Sequence, residues 1–122
     1  MTQQPSLVAA IDETFEPHDF SVATLATISE RIARSRSLEE FVYRESELDD
    51  LWRILDYAVK DAHWIGDARH AGRLEIIRAH VQSAHDHVAA DVPAPAEAMA
   101  ALRHASTEVR RLAEPAKANP SI

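Results

Sequence analysis

From His18 to Val92 the chain runs for 75 residues without a proline, and the full 122 residues hold only two glycines, Gly66 and Gly72. Proline breaks a helix by removing an amide donor and by its ring clashing with the preceding turn, so this stretch is unusually free to be helical. Prolines frame it instead: Pro5 and Pro17 before, Pro93 and Pro95 at a later joint, Pro115 and Pro120 in the tail. A chain of this length buries a core as one domain.

The apolar residues recur at helical spacing. Ser6 is placed to cap a short first helix with Leu7, Ile11 and Phe15 on one side. Val22, Leu25, Ile28 and Ile32 mark a helix over 21–35. Ser37-Leu-Glu-Glu40 is a capping box, with Phe41 and Val42 following on the apolar side. Glu45, Ser46 and Glu47 interrupt that stripe and predict a kink or a fresh start at Ser46. Leu48, Trp52, Leu55, Val59, Ala62 and Gly66 form the cleanest stripe, which Leu74, Ile77, Val81, Ala84 and Val88 take up later. Ala98, Leu102, Ala105, Val109 and Leu112 mark a last helix. Each stripe has a charged back, the pattern of helices burying one face against each other.

The pattern leaves one ambiguity. The stripe from Leu48 continues through Gly66 and His70 to Val88 almost without drift, so one helix of more than 40 residues, covered in a dimer, satisfies it. Glycine inside a helix costs about 1 kcal/mol relative to alanine. Gly66 is also well placed just past a helix end, with Asp67 able to cap the next. The expected fold is therefore an all-α bundle of four to five helices with a central hairpin turning at Gly66–Asp67. An N-terminal segment spans 1–20, the bundle 21–113 and a disordered tail 114–122.

Five of the seven histidines lie between positions 63 and 87. On one helix His63, Asp67 and His70 share a face at i, i+4 and i+7, a spacing able to ligate Zn, Ni or Fe. His87 with Asp91 and His104 with Glu108 repeat the four-residue step, but both pairs sit off the apolar lines. Such pairs also support an exposed helix with no metal. His70 falls within the apolar stripe and reads as a packed histidine. His63, Asp67 and His70 are thus the ligand set of an alternative, metal-binding or catalytic, bundle.

Arg73 with His80, and Arg78 with His85, are each separated by six residues. That spacing is similar to the Arg–His element of the helical HEPN nucleases, which would imply RNA cleavage. Here the residue after each arginine is apolar (Leu74, Ala79) where that element carries a polar one, and no basic path accompanies either pair. No serine sits in a nucleophile elbow and no glycine-rich phosphate loop is present. The absence of cysteine removes thiolate chemistry and disulfides.

Six acids and one arginine lie between Glu39 and Asp50. Glu39, Glu40, Glu47, Asp49 and Asp50 read either as an acidic contact surface or as first-turn residues stabilising helix dipoles after Ser37 and Ser46. Trp64 points away from the Val59/Ala62/Gly66 stripe. It is either covered by Phe15 or Phe20 or presented to a partner together with Arg53, Tyr57 and Lys60, tryptophan being favoured at interface hot spots.

A net charge of -7 disfavours binding to phosphate backbones. The one local basic cluster is Arg31, Arg34 and Arg36. Neither a secretory leader nor an 18-residue apolar run is apparent. Eleven of thirteen basic residues are arginine, a bias typical of GC-rich bacterial or phage coding. The expectation is a cytoplasmic, non-enzymatic module without a cofactor that regulates or inhibits another protein, with a homodimer as a further option.

Overall fold

The structure is a computed structural model describing residues 17–113, which form four helices: α1 (Val22–Arg34), α2 (Leu38–Trp64), α3 (Ala68–Ala89) and α4 (Pro95–Ala113). The helix expected near Leu7–Phe15 and the tail after Ala113 lie outside the described residues.

Local chemistry sets each boundary. The Ser21 hydroxyl accepts the Thr24 amide at 3.2 Å and starts α1, while the Ser35 hydroxyl donates to the Arg31 carbonyl at 2.8 Å as α1 ends. The capping box of α2 is complete: Ser37 Oγ accepts the Glu40 amide at 3.2 Å, and Glu40 Oε1 accepts the Ser37 amide at 3.0 Å. Pro95 occupies the first turn of α4, where its missing donor costs nothing.

The hairpin forms where the glycine requires it. Gly66 has φ of 85°, the left-handed region that other residues adopt only with strain. The Gly66 amide donates to the His63 carbonyl (3.0 Å) and the Asp67 amide to the Ala62 carbonyl (2.9 Å), closing a Schellman motif. Asp67 then caps α3 by accepting the His70 amide at 3.0 Å.

Two expectations about α2 and α3 are corrected. There is no break at Ser46: α2 is continuous over 27 residues. Its phase is set by Leu48, Leu51, Leu55 and Val59, all buried, so Phe41 leans toward the core while Val42 faces outward. Leu51 holds the central core position, and Trp52 is only half-buried beside it. His70 is exposed because the turn restarts the helical phase and Ala71 takes the buried position instead.

Among the described residues, α2 lies against α3, α3 against α4, α4 against α1 and α1 against α2, while the backbones of the diagonal pairs α1/α3 and α2/α4 stay apart. One core fills the centre of this ring, built from Leu25, Ile28 and Ile32 of α1, Leu55 of α2, Leu74 and Ile77 of α3, and Leu102 of α4. Each such side chain contributes about 1.5–3 kcal/mol on leaving water. Ala98, Ala101 and Ala105 form the inner edge of α4, and their small size lets it approach its neighbours closely.

Candidate functional site

A helix advances 100° per residue, so steps of four and three stay on one line. On α2 the positions Leu38, Val42, Ser46, Asp49, Arg53, Tyr57, Lys60 and Trp64 follow such a line opposite the core. All but the half-buried Asp49 are exposed. Trp64 is 88% exposed and Tyr57 75%. Trp64, Arg53, Tyr57 and Lys60, singled out from the sequence, therefore share one open face. Phe20 does not cover Trp64; it packs against the core. Phe15 lies outside the described residues. Of the eight large apolar side chains exposed among the described residues, five stand on α2 and a sixth, Ile65, is its C-cap.

The acidic residues do not form one surface. In a continuous helix Glu39 and Glu40 occupy the first turn, Asp49 lies on the outer line in a 2.9 Å ion pair with Arg53, and Asp50 is half-buried. Glu47 turns inward. Its Oε2 is 2.8 Å from Arg31 Nη1 and its Oε1 is 3.1 Å from Arg44 Nε, with all three side chains largely withdrawn from water. The first-turn reading thus holds for Glu39 and Glu40 and fails for Glu47, Asp49 and Asp50, which sit mid-helix. Arg31 likewise leaves the expected basic cluster to become a core residue of α1.

The turn also dismantles the histidine constellation. His63 lies on α2, Asp67 is engaged as a cap and His70 is exposed on α3. His63 Nε2 stands 3.2 Å from Glu75 Oε2 instead. Asp91 falls beyond the end of α3, and Glu108 pairs with Arg111 at 3.0 Å. His80 stacks on His104 of α4 with ring centroids 5.5 Å apart, and His85 lies 3.6 Å from Glu45. Arg78 bonds Asp56 and covers the Trp52 ring at 5.7 Å. Arg78, His80 and His85 are therefore taken up by contacts between helices, while Arg73 is exposed. Among the described residues no group of three or more His, Asp and Glu side chains converges to hold a metal ion.

His63–Glu75, Asp56–Arg78 and Glu45–His85 form a rail along the antiparallel α2–α3 seam and fix its register. Hydrogen bonding from Lys60, with the charges of Lys60 and Arg78, holds the Asp56 carboxyl below the usual aspartate range. The Arg36 amide, joined by Ser37, does the same for Glu40. Among the described residues no helix is long and apolar enough to cross a membrane.

Sequence reasoning misses the inward Arg31–Glu47 pair. Its signal is present: Arg31 sits one turn past Ile28, and Glu47 adjoins Leu48 in the core-facing arc of α2. Two opposite charges inside two apolar stripes mark a buried pair. No family model matches the chain, and no curated protein or solved structure is significantly similar to it.

Proposed function

We propose that the chain is a non-enzymatic protein-docking module, a small regulator or inhibitor of another protein that acts through the outer face of α2. The observation that carries this reading is the concentration of exposed large apolar side chains on that helix and its cap. Scattered apolar residues are ordinary on a surface, whereas a line of them on one element marks an interaction site. Trp64 and Tyr57 are the anchors, since aromatic side chains bury much area at little entropic cost. Arg53 and Lys60 between them set orientation. The size, acidic charge and arginine-rich composition suit a bacterial or phage-borne inhibitor working in the cytoplasm.

The test compares immobilised wild type with Trp64→Ala for capture of proteins encoded beside it. Circular dichroism establishes that both have the same helicity and melting. A protein held by the wild type and lost by the variant, and reproduced with purified partner, supports docking through this face. Equal capture by both, or capture by neither, removes it.

A further inference from the structure

Histidines join α3 to both of its neighbours, and the two sides answer a proton with opposite signs. Toward α4, His80 and His104 stack with ring centroids 5.5 Å apart and planes 25° apart. Among the described residues neither ring has a hydrogen bond or an ion pair. Toward α2, imidazole meets carboxylate instead: His63 Nε2 lies 3.2 Å from Glu75 Oε2, and His85 Nε2 lies 3.6 Å from Glu45 Oε2.

The charged surroundings keep the two sides distinct. On α3 the positions one turn from His80 carry no charge. On α4 the one charged position a turn from His104 is Glu108, which is bonded to Arg111 at 3.0 Å. Arg73, His87 and Glu97 lie two turns away. Charges placed on the stack therefore face each other before any free carboxylate. Toward α2, His85 also has Asp86 at 3.4 Å, while Lys60, one turn from His63, is engaged with Asp56 at 2.9 Å.

Histidine is the side chain that changes charge between about pH 5 and pH 8. We infer that the His80–His104 stack is a proton-sensitive joint, which on acidification loosens α4 from α3 while α3 holds α2 more firmly. In the unfolded chain the two rings lie apart and take their protons independently. In the stack the second proton enters beside the first, so the unfolded chain binds more protons and this contact strengthens as pH rises. The imidazoles facing α2 run the other way. A proton there creates an attraction that the unfolded chain lacks, present at acid pH and lost as pH rises. General acid unfolding weakens every seam together, whereas this arrangement frees one helix.

Amide hydrogen exchange of the full chain reads each helix separately, once intrinsic rates are corrected for pH. In about 0.01 M salt, where screening is weak, the chain is taken from about pH 7.5 to about pH 5. Protection of α4 relative to α2 should then fall about three- to tenfold, the effect of two like charges at 5.5 Å near a protein surface. In about 1 M salt, with a screening length of about 3 Å, the fall should largely vanish. His104→Phe keeps a ring in the stack that takes no proton, and should hold the α4 protection ratio level over the same range. His80→Phe is the mirror variant and should do the same. A wild-type ratio that does not change with pH overturns the inference. So does a fall that persists in both variants, or one indifferent to salt.

Discussion

Arg31 Nη1 lies 2.8 Å from Glu47 Oε2, with the two side chains 2% and 9% exposed. This pair ties the last turn of α1 to the third turn of α2, across the least extensive of the four helix contacts. Removing one partner of a buried ion pair leaves a charge without its counterpart in a dry site, which costs about 3–5 kcal/mol. Glu47→Ala leaves two arginines, Arg31 and Arg44, around the vacated position and should cost that much by urea denaturation. Replacing the pair with apolar residues, Arg31→Met with Glu47→Leu, should recover most of it. A loss below about 1 kcal/mol for Glu47→Ala would show that the pair contributes little.

The fold was legible wherever local chemistry and the stripe agreed. Gly66 followed by Asp67 signals a stop and a start within two residues, and both occur. The Ser37–Glu40 box begins α2 where it should. The interior of α2 was harder, because Glu45, Ser46 and Glu47 look like the end of an apolar stripe. Glu47 is tolerated inside because Arg44 pairs with one of its oxygens from the preceding turn and Arg31 meets the other from another helix, 16 residues earlier in the chain. No local rule carries that information. The spacing of His63, Asp67 and His70 likewise has meaning only on an unbroken helix, and the glycine breaks it. The outer line of α2 was half visible: Trp64, Tyr57, Lys60 and Arg53 were in phase, but Leu38 and Val42 joined them only once the helix proved continuous.

The two glycines should respond to alanine with opposite signs. A Cβ at either position meets nothing within 4 Å, so packing decides neither case. At Gly66, with φ of 85°, the left-handed backbone costs an alanine roughly 1–2 kcal/mol. Gly72 lies within α3, where alanine should gain about 0.5–1 kcal/mol. Thermal melts of Gly66→Ala and Gly72→Ala should therefore bracket the wild type. Two shifts in the same direction would contradict the assigned turn.

The acid limb of stability should carry the signature of the α2 cap. Glu40 is held below its ordinary range chiefly by the Arg36 amide, so its folded-state pKa is lower than its unfolded one. Such a group stabilises the fold above the unfolded value, about 4.3, and the contribution is lost as pH falls through the folded value. Glu40→Gln keeps an acceptor but not the charge. Its melting temperature should lie below the wild type's near neutral pH, and the two should converge as pH drops below 4.3. A gap constant down to pH 3 would remove the carboxylate from the account.

Arg78 joins α3 to α2 twice, bonding the Asp56 carboxylate and lying over the Trp52 ring at 5.7 Å. The pair is shielded, with 26% and 20% of the two side chains exposed, so it should be worth more than a surface bridge. A cation over an aromatic face adds about 0.5–1 kcal/mol where solvent remains. Arg78→Ala should therefore cost about 1–2 kcal/mol, and Arg78→Lys should recover only part, because a point charge cannot lie flat on an indole while bonding a carboxylate. Tryptophan emission reports the same contact, since Trp52 should change its spectrum in Arg78→Ala while Trp64, on the opposite side of α2, should not. A Trp64→Phe background isolates the Trp52 signal. If that spectrum stays unchanged when Arg78 is removed, the guanidinium does not rest on the ring.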